Sequence, residues 1–193
     1  MRTITKLWEN LYAKLGQVDP ECPQENKIIK QTMKPWRYEK QAEMIAEMLN
    51  VQDSVLEVGC GYGGLASEIL KLVPVKYSVV ENELMLNHSR EYLSDKVEYI
   101  EAEKIETLQD RKFTLFISNY CLSETPPEYQ QYVLGNIVKN CREIFIIDYD
   151  DSTIPTVDMI VLNKEKYLKK YFIIDKIQTA QGRYFLYSGE RKK

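Results

Sequence analysis

The stretch SVLEVGCGYGGLASEIL, residues 54–70, carries an acid and four glycines at spacings that suit ligand chemistry. Two patterns overlap in it. G-x-G-x-x-G runs through Gly59, Gly61 and Gly64, and E-x-G-x-G-x-G through Glu57, Gly59, Gly61 and Gly63. Both need a sharp strand-to-helix turn whose backbone a ligand can approach, which a Cβ would obstruct. The first spacing points to a dinucleotide and hydride transfer; the second points to S-adenosyl-L-methionine (SAM) and methyl transfer. A dinucleotide presents a pyrophosphate, which an acid two residues before the first glycine would repel. SAM instead carries an ammonium and a sulfonium, which Glu57 can face directly or through water. Glu57 therefore favours SAM, with Tyr62 in the same turn among the cofactor-binding candidates.

A second acid, Glu81, follows Glu57 by 24 residues at the end of the next apolar run. Either cofactor class places an acid there to hold ribose hydroxyls, so Glu81 indicates nucleoside binding without separating the two.

The elements that position these residues alternate between strand and helix. Strand patterns cover 54–58, 75–81, 96–100, 113–118 and 143–148; helical patterns cover 63–73, 83–93, a short piece near 104–110, and 127–140. Short buried strands separated by helices predict a Rossmann-like α/β fold, a mostly parallel sheet with helices on both faces. A helix near 163–170 precedes YFIIDKIQTAQGRYFLYSG, which predicts a C-terminal antiparallel hairpin and brings the sheet to seven strands. Upstream, residues 3–16 and 35–50 predict two helices joined by GQVDPECPQENK, a linker or loop. The reading divides the chain into an N-terminal helical cap, 1–50, and a cofactor-binding domain, 51–193.

A net charge of −3 and a pI near 5.4 argue against electrostatically driven binding to nucleic acid or an anionic membrane. No apolar run approaches a membrane span, and Glu9 and Asn10 interrupt what a secretory signal would need. Cys22, Cys60, Cys121 and Cys141 are scattered, which predicts reduced thiols in a cytoplasmic protein. One histidine, His88, and no cysteine cluster predict no metal site; His88 is expected to face solvent from its helix. Asp148, Asp150 and Asp151 are expected to form a polar strand-end loop. Tyrosines outnumber phenylalanines fourteen to five, which suggests half-buried rings lining a polar cleft.

The segments VLEVGCGYGGLASEIL, VVENELML, VEYIEAEKIETL and FTLFISNYCLSETPPEYQQYVLGNIVKNCREIFIID together resemble class I SAM-dependent methyltransferases over about residues 50–190. EVGCGYGGLA and SNYCLSE are similar to the sugar O-methyltransferase group of that superfamily. The resemblance implies a sheet that ends in a hairpin, SAM as cofactor, and a methionine-side loop of Glu57, Gly59, Gly61 and Gly63. It assigns the ribose to Glu81 with Asn82 beside it, and the adenine amine to Glu103, with Glu101 as the near alternative. Thr114 stands where the family often has an aspartate.

Methyl transfer mainly requires an oriented acceptor and excluded water, with a general base when the acceptor is a hydroxyl. In such sheets the reacting groups gather at the carboxyl ends of the strands. ISNYCLSETPP, 117–127, follows the fourth strand, so Ser118, Asn119, Tyr120, Ser123 and Glu124 are the candidates. Two roles fit Glu124: a base raised in pKa by partial desolvation, or an acid complementing the next helix, with Ser123 or Thr125 as cap. Tyr120 suits a cation–π contact with the sulfonium or packing under the loop. Arg37, in KPWRYEK, suits a bidentate clamp on the methionine carboxylate, while Trp36 and Tyr38 suit stacking on a sugar or packing on the sheet. The expected activity is methylation of a hydroxyl on a small acceptor, a sugar among them. The alternatives are amino- or carboxyl-group methylation, or a non-catalytic nucleoside- or partner-binding module. So short a cap leaves room for a homodimer partner to complete the acceptor pocket.

Overall fold

The structure, a computed structural model, describes residues 35–93, 95, 97–149, 163–178 and 184–193. The expected helix at 3–16, its linker, Asp150 and Asp151 lie outside the described residues, as do the side chains of Trp36 and Arg37.

Helix α1 (Pro35–Ala46) precedes strand β1 (Ser54–Val58), helix α2 (Gly64–Leu72), β2 (Lys76–Glu81), α3 (Glu83–Arg90) and β3 (Val97–Glu101). A 3-10 helix at Ala102–Leu108 leads to β4 (Phe113–Asn119), and a 3-10 turn at Leu122–Glu124 leads to α4 (Pro127–Tyr132). Then come β5 (Cys141–Tyr149), α5 (Lys164–Leu168), β6 (Phe172–Gln178) and β7 (Tyr184–Arg191). The sheet runs β3-β2-β1-β4-β5-β7-β6. Its first five strands are parallel, and β7 pairs antiparallel with both β5 and β6. This is the Rossmann-like arrangement expected, terminal hairpin included. The order reverses between β1 and β4, so a crevice opens beyond their carboxyl ends.

Both faces are covered, which explains why the strands read as apolar runs. Leu56, Val58, Phe116, Ile144 and Ile146 pack on one side with Val133, Leu134 and Ile137. Val55, Val79, Ile117 and Ile147 pack on the other with Ala42 and Ile45 of α1 and Leu65, Ala66 and Ile69 of α2. Tyr77, Tyr129 and Tyr187 are fully buried, so part of the tyrosine excess is core rather than cleft. Residues 127–140 are helical as expected, but the coil widens to a π turn at Val133–Ile137 before tightening to 3-10 at Val138–Asn140. α3 ends at Arg90, where the Glu91 N–H donates to the His88 carbonyl at 3.1 Å and the Tyr92 N–H to the Ser89 carbonyl at 3.0 Å. At the amino ends of β1 and β4, the Thr114 hydroxyl donates to Asp53 Oδ1 at 2.9 Å and accepts from the Ser54 N–H at 3.2 Å. Thr114 thus has a structural task of its own. Among the described residues, no helix is long and apolar enough to cross a membrane.

One buried ion pair joins three segments. Lys164 Nζ lies 3.3 Å from Asp148 Oδ2, both side chains being fully buried. The Ser123 N–H donates to the same oxygen at 2.9 Å and the Ser123 hydroxyl donates to Asp148 Oδ1. Asp148 is therefore an internal tie between β5, α5 and the turn after β4, not part of an open polar loop. Removing one partner of such a pair leaves a buried charge uncompensated. Lys164→Met is expected to lower unfolding free energy by about 3–5 kcal/mol in urea titration. Adding Asp148→Asn to that variant is expected to recover part of the loss.

Candidate functional site at the carboxyl ends of β1, β2 and β4

The glycine turn links β1 to α2 through three left-handed residues: Gly59 (φ 84°), Gly61 (φ 52°) and Gly63 (φ 82°). Gly64 is not among them and begins α2. The special backbone positions are thus the glycines of the acid–glycine pattern, which an L side chain would strain. Each leaves room for something different. A Cβ at Gly59 would come within 2.2 Å of Cys121 Cβ, and one at Gly63 within 2.7 Å of Leu93 Cδ1. A Cβ at Gly61 would meet nothing within 4 Å among the described residues. Gly59 and Gly63 therefore admit protein, and Gly61 borders open space.

Glu81 secures the turn from β2. Its Oε2 accepts from the Gly61 N–H at 3.1 Å; its Oε1 accepts from the Asn82 N–H at 2.8 Å and from Asn82 Nδ2 at 3.0 Å. These bonds fix the Glu81 carboxylate at the carboxyl end of β2, against the glycine turn. Asn82 also caps α3, its Oδ1 accepting from the Met85 N–H at 2.9 Å. Its work is to hold Glu81 and start the helix.

Glu57 is only 2% exposed and accepts from the Tyr77 hydroxyl at 2.9 Å. Burial, with a smaller push from the Glu81 charge, raises its pKa from 4.5 to about 7 against the opposing Tyr77 bond. Burial also pushes the thiols of Cys60 and Cys121 well above the usual range, which makes them poor nucleophiles.

The third wall is the end of β4. Tyr120 adopts φ 59°, rare for a residue with a side chain, and its N–H donates to the Ile147 carbonyl at 2.7 Å. That geometry turns the chain sharply out of the strand. Asn119 Nδ2 donates to Gln41 Oε1 of α1 at 3.0 Å, while Asn119 Oδ1 is buried without a hydrogen-bond donor among the described residues. Glu124 is exposed, so the partial desolvation expected of it is absent. Nor do its neighbours cap α4. Pro126 holds that position, Ser123 is bound to Asp148, and the Thr125 hydroxyl donates to the Leu122 carbonyl at 2.8 Å.

The structure brings Glu57, the glycine turn, Glu81, Asn82, Asn119 and Tyr120 to one end of the sheet. Tyr62 is half-buried, with its ring edge-on to His88 at 5.8 Å between centroids. His88 is therefore half-buried against the turn rather than facing solvent. Glu103 is exposed on the 3-10 helix after β3, and Glu101 pairs with Lys104 at 2.8 Å. Sequence reasoning missed Tyr77, Gln41 and Lys164. Tyr77 and Gln41 look like ordinary core-facing positions until pairing register and helix docking are known. A hollow of about 390 Å³ at the other end of the sheet includes Ser54, Lys76, Glu98 and Arg111. It borders the amino ends of the strands, away from the glycine turn.

No family model and no curated protein matches this sequence. Solved structures do share its fold. The N-methyltransferase NodS from Bradyrhizobium japonicum, in complex with S-adenosyl-L-homocysteine, is 14% identical with a TM-score of 0.68, covering 97% of this chain and 99% of NodS. An O-methyltransferase family protein from Burkholderia thailandensis is 14% identical, with a TM-score of 0.61 over 98% of this chain and 70% of that one. A SAM-dependent methyltransferase from Aquifex aeolicus is 17% identical, with a TM-score of 0.60 over 87% of this chain and all of that one. At these identities the likeness is one of fold: the chain has the Rossmann-like methyltransferase fold.

The elevated Glu57 carboxyl makes stability depend on pH. The folded state holds its proton up to about pH 7, whereas the unfolded chain releases it near 4.5. Its contribution is complete below 4.5 and is lost as pH rises towards 7, a change of about 3 kcal/mol. Urea titrations from pH 4.5 to 8 are expected to show this decline in the wild type and a flatter profile in Glu57→Gln.

Proposed function

We propose that this chain binds S-adenosyl-L-methionine and methylates a hydroxyl of a small acceptor, with sugars the first class to test. The observation that carries the reading is the glycine turn itself: three left-handed glycines held by Glu81, with open space at Gly61. Two features fit the cofactor. Glu81 places a carboxylate beside the turn, which suits a ligand with an ammonium and a sulfonium. Asn119 Oδ1, buried without a donor among the described residues, suits an N–H from that ligand.

When bound, the cofactor supplies an electrophilic methyl group on sulfur. In this reading Glu81, placed at the strand end beside the turn, accepts from the ribose hydroxyls, and Gly61 allows the ligand close approach to the backbone. Glu57 lies within the fold, so its influence on the methionine end passes through the turn. Glu103 serves the adenine amine, Arg37 the methionine carboxylate, and Tyr62 and Asn119 line the site. Tyr120 presents its ring to the reacting centre. Glu124 takes the proton from the acceptor hydroxyl; because it is exposed, its desolvation must come from the acceptor settling over it.

Calorimetric titration with SAM, NAD⁺ and NADP⁺ tests the cofactor. Micromolar SAM binding is expected, weakened at least about tenfold in Glu81→Ala, with no binding of either dinucleotide. Absence of SAM binding by folded protein would overturn the reading and leave a partner-binding module with this fold. Labelled-methyl transfer to panels of sugars, amines and carboxylates then tests the acceptor. With a hydroxyl acceptor, Glu124→Gln is expected to lower turnover by about 10²-fold while SAM affinity holds; transfer only to amines or carboxylates would replace the hydroxyl assignment.

A further inference from the structure

The inner stripe of α1 changes character at one residue. Ala42, Ile45 and Leu49 are buried against the sheet, but Gln41, half-buried beside them, reaches the carboxyl end of β4. A glutamine directed at a core is costly unless its amide is used. Here it is used once on the described side: Gln41 Oε1 accepts from Asn119 Nδ2 at 3.0 Å. That bond decides which end of the Asn119 carboxamide is spent. The amino end faces α1, and the oxygen is left buried with no hydrogen-bond donor among the described residues. A buried acceptor without a donor is an opening for an N–H or O–H from a ligand.

We infer that Gln41 is a positioning residue for ligand recognition, holding Asn119 so that Oδ1 receives an N–H from the amino group on the amino-acid portion of the cofactor. The inference rests on the cofactor reading above and extends it to selectivity. α1 makes the site favour adenosyl ligands that keep the amino acid over those that have lost it. The orientation is specific. If the Asn119 amide were reversed, Gln41 would have to donate to it, and Asn119 would offer the ligand an amino group instead of an oxygen. A carboxylate at position 41 can only accept, so Gln41→Glu preserves the observed orientation and forbids the reverse.

The test is calorimetry with S-adenosyl-L-homocysteine and with 5′-methylthioadenosine, which lacks the amino acid, on wild type, Gln41→Leu and Gln41→Glu. A hydrogen bond to a charged donor is expected to be lost in Gln41→Leu, weakening S-adenosyl-L-homocysteine by about 10-fold or more. Methylthioadenosine affinity is expected to stay unchanged, which also shows that the variant is folded and its nucleoside site intact. Gln41→Glu is expected to bind S-adenosyl-L-homocysteine within about threefold of wild type. Equal S-adenosyl-L-homocysteine affinity in wild type and Gln41→Leu would overturn the inference, as would parallel loss of both ligands or a Gln41→Glu variant as weak as Gln41→Leu. Wild-type protein that binds neither ligand would overturn the cofactor reading itself, a result distinct from the other three.

Discussion

At Gly59 a Cβ would stand 2.2 Å from the Cβ of Cys121, and the carboxyl end of the sheet is built around that missing atom. β1 and β4 are neighbours from which the chain departs in different directions, so the segments following them compete for the same space. A glycine at φ 84° lets both pass. The turn after β4 is then clamped from its other side: Tyr120 bonds to the Ile147 carbonyl and Ser123 to Asp148. The crevice floor is consequently backbone held by backbone and buried side chains.

Two buried carboxyls show how differently the fold treats charge. Asp148 has Lys164 and Ser123, an arrangement that neutralises its charge within the protein. Glu57 has the Tyr77 hydroxyl and a negative neighbour, Glu81, and its pKa rises to about 7. The first is a tie between segments, complete without any ligand. The second is poised between protonation states, so a cation arriving nearby would favour its ionised form. The acid–glycine turn thus combines an unusual backbone with a carboxyl that burial holds above the usual carboxylate range.

α1 gives the crevice its remaining wall. Its apolar residues anchor it to the sheet face, and Gln41 converts that packing into a hydrogen bond with the end of β4. A helix outside the sheet order in this way meets a side chain at the end of a strand within it.

The sequence by itself determined the alternation of strands and helices, the terminal hairpin, and the acid–glycine turn with Glu81 at the next strand end. These are legible because they rest on periodicity and on backbone conformations that only glycine readily adopts, both local properties. Tertiary structure alone decided the partners. Tyr77 reaches Glu57 through the pairing of β1 with β2, Lys164 reaches Asp148 from a distant helix, and Gln41 reaches Asn119 across 78 positions of sequence. It also decided exposure, leaving Glu124 in solvent and drawing His88 against Tyr62. A residue's type states which bonds it can form, but burial and register determine which it does form. Those arise only when segments remote in the chain share one interior.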